Sequence, residues 1–225
     1  FSTAAGAIGA DLLNNIVPSS GYFLFPFVFA WGLVYIVFLN AELVTSNMMY
    51  LTAGVYQKNI RLSKAVTILL YCGIFNLIGA MIIGAAFAYS AAFNAMDVQH
   101  FIVHLVQGKA TRGNGQVLLE AILANIFVNV AILAFLLIKD ETAKMWIIIS
   151  AIFMFVFLGE EHVVANFASF SIVKFSAVSP SLEFMNWFNL IRHWVVAFIG
   201  NTIGGGVIVG LAYAFLNKTK SVYHE

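Results

Sequence analysis

The sequence predicts an all-α membrane protein of six transmembrane helices, arranged as two inverted copies of a three-helix unit, with the second and fifth helices broken. Three observations carry that expectation. Hydrophobic residues make up 62% of the 225 positions and charged residues 9%, with a mean hydropathy of +0.94, whereas a soluble domain carries about a quarter charged residues. Apolar runs long enough to cross a hydrocarbon layer of roughly 30 Å recur along the chain. Two segments, "FLNAELVTSNM" (38–48) and "FLGEEHVVANF" (157–167), coincide without a gap at Phe-Leu, Glu42/Glu161, Val44/Val163 and Asn47/Asn166.

Residues 1–17, "FSTAAGAIGADLLNNIV", begin mid-pattern with neither Met nor a basic stretch, so they read as the second half of a first helix truncated at its N-terminus rather than as a signal peptide. Tyr22–Tyr56 follows without a Lys or Arg. As one straight helix it would run about 50 Å, so the "NAELVTS" stretch with Asn40 and Glu42 is the expected break. Ala65–Phe93 and Gln116–Ile138 are the third and fourth runs. The fifth, Met145–Phe170, is interrupted at "GEEH": Trp146–Leu158 and Val163–Val173 on either side are each too short to cross alone. His193–Leu216 is the sixth.

The copies match elsewhere too, "NLIGAMII" (76–83) with "NTIGGGVI" (201–208) and, more weakly, "AIGADLL" with "AILANIF". Three matches in one order imply a duplication within a single domain over 1–225, with repeats of about 1–93 and 116–216. An odd number of helices per copy forces opposite orientations. Inverted repeats with corresponding broken segments point to a transport site between the halves. Loops at 94–115 and 171–190 fall on one side, with Lys109, Arg112, Lys174 and Arg192. Short links at 57–64 and 139–144 and the tail from Asn217 fall on the other, with Lys58, Arg61, Lys64, Lys139, Lys144, Lys218 and Lys220. The positive-inside rule then predicts cytoplasmic links and cytoplasmic termini.

Composition also excludes. A net charge of +1 provides no basic face for nucleic acid. The single Cys72 lies in an apolar run, which leaves neither a disulfide framework nor a zinc site. His100 and His104 share helical spacing but lack a third ligand, so they read as loop residues, and neither metal nor cofactor is expected. Adjacent residues in "EEH" project in different directions, unlike an H-E-x-x-H pair on one helix face, which weighs against a membrane-embedded metalloenzyme.

The expensive feature is His162, an intramembrane ionisable residue and hence a functional candidate. An imidazole's ordinary pKa near 6.5 lets its surroundings decide its charge. The half-helix after it turns a partially positive N-terminus to the break, which favours an anion. Glu160 and Glu161 must then face away from the path. Large apolar residues precede each break: Phe29 and Leu33 in the second helix, Phe155 in the fifth. By spacing alone they are equally ordinary core or lipid-facing residues; lining a pore, they would pass small, weakly hydrated species.

"NAELVTSN", "ILAN", "EEHVVAN" and "IGNTIGGG" resemble the signature segments of the formate/nitrite transporter family, and the likeness runs over nearly the whole chain. The resemblance implies an aquaporin-like six-helix fold, a homopentamer with one pore per protomer, and transport of formate, nitrite, hydrosulfide or similar small anions across a bacterial inner membrane. It makes His162 the pore centre, Thr45 its contact from the second helix, and Asn125, Asn201 and Glu161 its supports. It assigns Phe29 and Phe155 to an outer constriction, Leu33, Leu43 and Val128 to an inner one, and Lys109 to anion attraction in the outer vestibule. Glu42, Val44 and Glu160 depart from the residues common in the family. The rival reading is an aquaporin-like pore for water or neutral weak acids; against it, Pro18, Pro26 and Pro180 form no paired Asn-Pro-Ala elements.

Overall fold

Between helices in a lipid environment the hydrophobic drive is weak, and small residues that let backbones approach govern packing. This chain follows that rule. A computed structural model describes residues 1–218, and among these all regular structure is helical. The helices are α1 (Ser2–Asn14), α2 (Gly21–Phe38), α3 (Val44–Tyr56), α4 (Leu62–Ala88), α5 (Phe101–Ala110), α6 (Asn114–Leu137), α7 (Glu141–Phe157), α8 (Val163–Phe175) and α9 (Trp187–Asn201). A π-helical stretch, Thr202–Leu211, continues α9 into α10 (Ala212–Leu216). Lys220, counted above with the short-link side, lies outside the described residues.

The π-helical stretch shows how glycine sets the approach. Gly204 and Gly205 lie against α6, and Gly206 and Gly210 against α3. A Cβ on Gly204 would overlap the Ile122 carbonyl of α6, a backbone group that cannot rotate away. We expect Gly204→Ala to destabilise the folded protein by about 1–3 kcal/mol, the usual penalty for overpacking. Gly108→Ala, on α5 with open space around the new methyl, is expected to be neutral or slightly stabilising. Thermal melts of the two purified variants beside wild type check both.

Among the described residues four helical stretches have the length and apolarity to cross a membrane: Gly21–Phe38, Leu62–Ala88, Asn114–Leu137 and Trp187–Leu216. α4 buries little beyond Ala65, Gly73, Gly84 and Ala88 and turns Leu70, Tyr71, Ile74, Phe75, Ile78 and Ile82 outward. An apolar surface of that extent suits lipid or a neighbouring subunit, not water. Together these features are those of an integral membrane protein.

α1 packs on α2, α2 on α7, α4 on α8, and α6 on both α7 and α9. Two buried clusters result. One joins Phe93, Phe101, Val103, Phe170 and Trp194; the other joins Ala30, Leu33, Leu43, Val128, Ile152 and Phe155. The second surrounds the candidate site. α2 stops at Phe38 and α3 starts at Val44; likewise α7 stops at Phe157 and α8 starts at Val163. Each stop uses one left-handed residue, Asn40 (φ 51°) or Gly159 (φ 75°), conformations that Asn and Gly adopt more readily than other residues.

The loop expected over 94–115 is corrected: it contains α5. Phe101, Ile102, Val103, Val106 and Ala110 of that helix are buried, which supplies the packing a polar loop would lack. His100 is its N-cap, accepting from the Ile102 amide at 3.2 Å, and His104 lies within it, so neither is a loop residue. Burial holds the His100 imidazole below its ordinary pKa, against the pull of Asp11 and Asp97. The stretch expected as a loop over 171–190 is likewise shorter, because α8 runs on to Phe175 and α9 begins at Trp187.

Candidate functional site

The two helix stops meet at His162 and Thr45. The imidazole Nε2 lies 2.8 Å from the Thr45 hydroxyl, with both residues buried. His162 is also the N-cap of α8, and its Nδ1 accepts from the Ala165 amide at 3.2 Å. With Nδ1 accepting, the neutral ring carries its hydrogen on Nε2 and donates to Thr45. The centre is thus a donor pair, a ring N–H leading to a hydroxyl.

A helix start leaves backbone N–H groups without intrahelical partners, and asparagines from neighbouring helices satisfy them here. Asn201 Oδ1 accepts from the Val163 amide at 2.9 Å, while its Nδ2 donates to the carbonyls of Glu161 (2.9 Å) and Ala121 (2.7 Å). Asn76 repeats this at the other stop: Oδ1 accepts from the Val44 amide at 2.9 Å and Nδ2 donates to the Glu42 carbonyl at 3.2 Å. The carboxylates match as well. Asn166 donates to Glu161 and Asn47 to Glu42, each at 2.7 Å. Asn125 Nδ2 donates to the carbonyls of Thr45 (3.1 Å) and Asn201 (2.7 Å), which ties the two frames together.

Behind His162 the charges cluster. Glu161 is fully buried and accepts from Lys109 Nζ at 2.9 Å and Arg112 Nη1 at 2.6 Å. His193 Nε2 lies 3.5 Å away. Lys109 Nζ also donates to the Glu160 carbonyl at 2.7 Å. Arg112 Nη1 reaches the Gly159 carbonyl at 2.7 Å and Glu120 at 2.5 Å. On the other side of His162 lies an open cavity of about 580 Å³, lined among others by Phe29, Leu33, Leu43, Val128, Phe155 and His162. The Phe29 and Phe155 rings meet edge-to-face at 6.3 Å, and Phe155 lies 5.8 Å from the imidazole.

A family model described as "Formate/nitrite transporter" matches residues 1–215. The chain belongs to the formate/nitrite transporter family. Among its relatives is the formate channel BtFdhC of Bacillus thuringiensis, 32% identical over 186 residues, covering 83% of this chain and 70% of that one. Two solved structures share the fold. A chain described as an "FNT family ion channel" aligns with TM-score 0.85 at 24% identity over 96% of this chain and 85% of its own. A "Pentameric formate channel with formate bound" aligns with TM-score 0.76 at 21% identity over 97% and 94%.

In this family member the structure brings Phe29, Leu33, Leu43, Val128, Phe155 and His162 to one cavity, with Thr45 touching His162. Asn125 and Asn201 stand apart from the ring. Asn201 binds the backbone on either side of it and Asn125 binds the Thr45 and Asn201 carbonyls, not the imidazole, because the peptide groups of a helix stop need partners first. Lys109 lies beside the Phe29–Phe155 pair, yet it is 8% exposed and its ammonium is tied to Glu161. The cation expected in an outer vestibule is therefore one half of a buried ion pair. Asn76, Arg112 and His193 had been assigned no part in the site. Asn76 had a signal, its match to Asn201 in the repeat; Arg112 and His193 had none, since their link to Glu161 spans tens of residues.

Proposed function

We propose that this protein is a homopentameric channel or proton-linked transporter for small monovalent anions, formate first and nitrite or hydrosulfide next, and not an enzyme. In this reading it resides in a bacterial inner membrane with both termini cytoplasmic. The chain forms one domain over 1–225 with an aquaporin-like inverted repeat and six crossings, the second made of α2 and α3 and the fifth of α7 and α8. The relative named as a formate channel and the pentameric neighbour with formate bound support the substrate and the assembly.

The single observation that carries the reading is the buried His162–Thr45 pair, with His162 at the wall of a cavity that Phe29, Leu33, Leu43, Val128 and Phe155 also line. A bare anion is costly to desolvate against such walls, and the His162 imidazole, backed by Thr45, is the polar group we assign to meet it midway. Lys109, beside Phe29 and Phe155, is the cation nearest the anion's entry in this reading. His162 then orients it, and transit as the neutral acid accounts for the apolar constrictions. The apolar lining also supports a second reading, a pore for water or neutral weak acids.

Flux into liposomes holding the reconstituted protein separates the two, with formate, nitrite, hydrosulfide and water compared under an imposed pH gradient. His162→Ala is expected to cut formate uptake about a hundredfold, the low end for a placed proton-handling group, and to remove its dependence on the gradient while the assembly survives. Wild-type flux and pH dependence in that variant sink the central-histidine mechanism. Water flux without formate selectivity leaves the second reading standing.

A further inference from the structure

Glu160 has no part in the account so far. It is 7% exposed, and its Oε2 is buried without a hydrogen-bond partner among the described residues. Its neighbours in the chain are committed: Gly159 supplies the turn, Glu161 answers two cations, and His162 caps α8. Glu160 alone holds an uncommitted carboxyl. That carboxyl borders a small cavity of about 30 Å³ that it shares with Lys109, Asn166, Ser169, Phe29 and Phe155. A space of that size with several polar walls suits one water molecule. Phe29 and Phe155, with Thr3 and Ala165, also wall the large cavity that holds His162, so the two cavities share a wall.

We propose that Glu160 is a second proton-handling residue, an acid that protonates the anion beside the Phe29–Phe155 constriction before it reaches His162. The inference rests on the transport reading above. The Glu160 O–H bond breaks as an O–H bond forms on the anion, directly or through one water in the small cavity. The product is the neutral acid and a Glu160 carboxylate, which recovers its proton from water on the Lys109 side. The charged and titratable groups around it are Lys109 from α5, Arg112 from the link after it, Glu120 from α6, His193 from α9, and Glu161 and His162 in its own segment. From α1 and α2 only Thr3, Phe25 and Phe29 border the small cavity.

The test is initial formate uptake by reconstituted wild type, Glu160→Gln and Glu160→Asp over external pH from about 5 to 8. A donor of fixed supply makes wild-type uptake level off as pH falls, whereas uptake of acid formed in bulk rises without a bend. Glu160→Gln is expected to lose the bend and at least about tenfold of uptake at neutral pH, with Glu160→Asp restoring the bend at a shifted midpoint. A Gln variant with the wild-type bend and rate overturns the proposal. If the Gln variant does not assemble, an Asp variant identical to wild type in rate and midpoint overturns it equally. Absence of formate uptake by wild type is a different failure, and it defeats the transport reading itself.

Discussion

Glu161→Ala is expected to destabilise the folded protein by about 3–5 kcal/mol, the penalty for removing one partner from a buried ion pair. The carboxylate is fully buried, and its loss leaves Lys109, itself 8% exposed, without its counter-charge. Arg112 keeps Glu120 and the Gly159 carbonyl, so the damage centres on the lysine and on Asn166. The matching change at the other stop, Glu42→Ala, is expected to cost about 1 kcal/mol or less. Glu42 is exposed and its hydrogen bond is to Asn47, so loss of that bond forfeits only an ordinary net contribution. Thermal melts of the detergent-purified assemblies provide the comparison. Equal stability of the two variants contradicts the argument that burial, not charge, makes the difference.

Asn201→Ala comes next in size, at about 3 kcal/mol or more. One side chain serves three buried backbone groups, the Val163 amide and the carbonyls of Glu161 and Ala121, and a buried group left unpaired costs about 1–3 kcal/mol. Asn76→Ala exposes two such groups, but Asn76 borders the open cavity, where water can replace the lost bonds. About 1 kcal/mol is expected there. Formate flux should fall further than stability predicts in Asn201→Ala, since the bonds lost flank His162. Melting and flux measured on the same preparation check both statements.

Both helix stops are legible in the sequence. Residues 39–43 and 158–162, where helices stop, lie inside the two segments that match by sequence, because polar residues in an apolar run are conspicuous. His162 stood out for the same reason. What the sequence concealed was how polar groups are shared between segments. The resemblance makes Asn125 and Asn201 supports of His162, but nothing in a linear pattern shows that the peptide groups at a helix start are what they bind. Lys109 read as a vestibule charge because its partner Glu161 lies on another element. Residues 101–110 read as loop in the sequence because ten residues among Gly, Gln and His carry a short apolar signal, and only packing against the rest of the fold makes them a helix.

The unequal backing of the two stops has a mechanical consequence. Both are framed by an asparagine and a carboxylate, but one is braced by Lys109, Arg112 and Asn201 while the other has Asn76 and an exposed Glu42. Local opening concentrates where buried contacts are fewest. Thermal motion is therefore expected to gather at the α2–α3 joint rather than at the α7–α8 joint, which amide exchange at Val44 and Val163 checks. The protein divides its labour between a compliant hinge and a rigid gauge, and it is the gauge that carries the histidine.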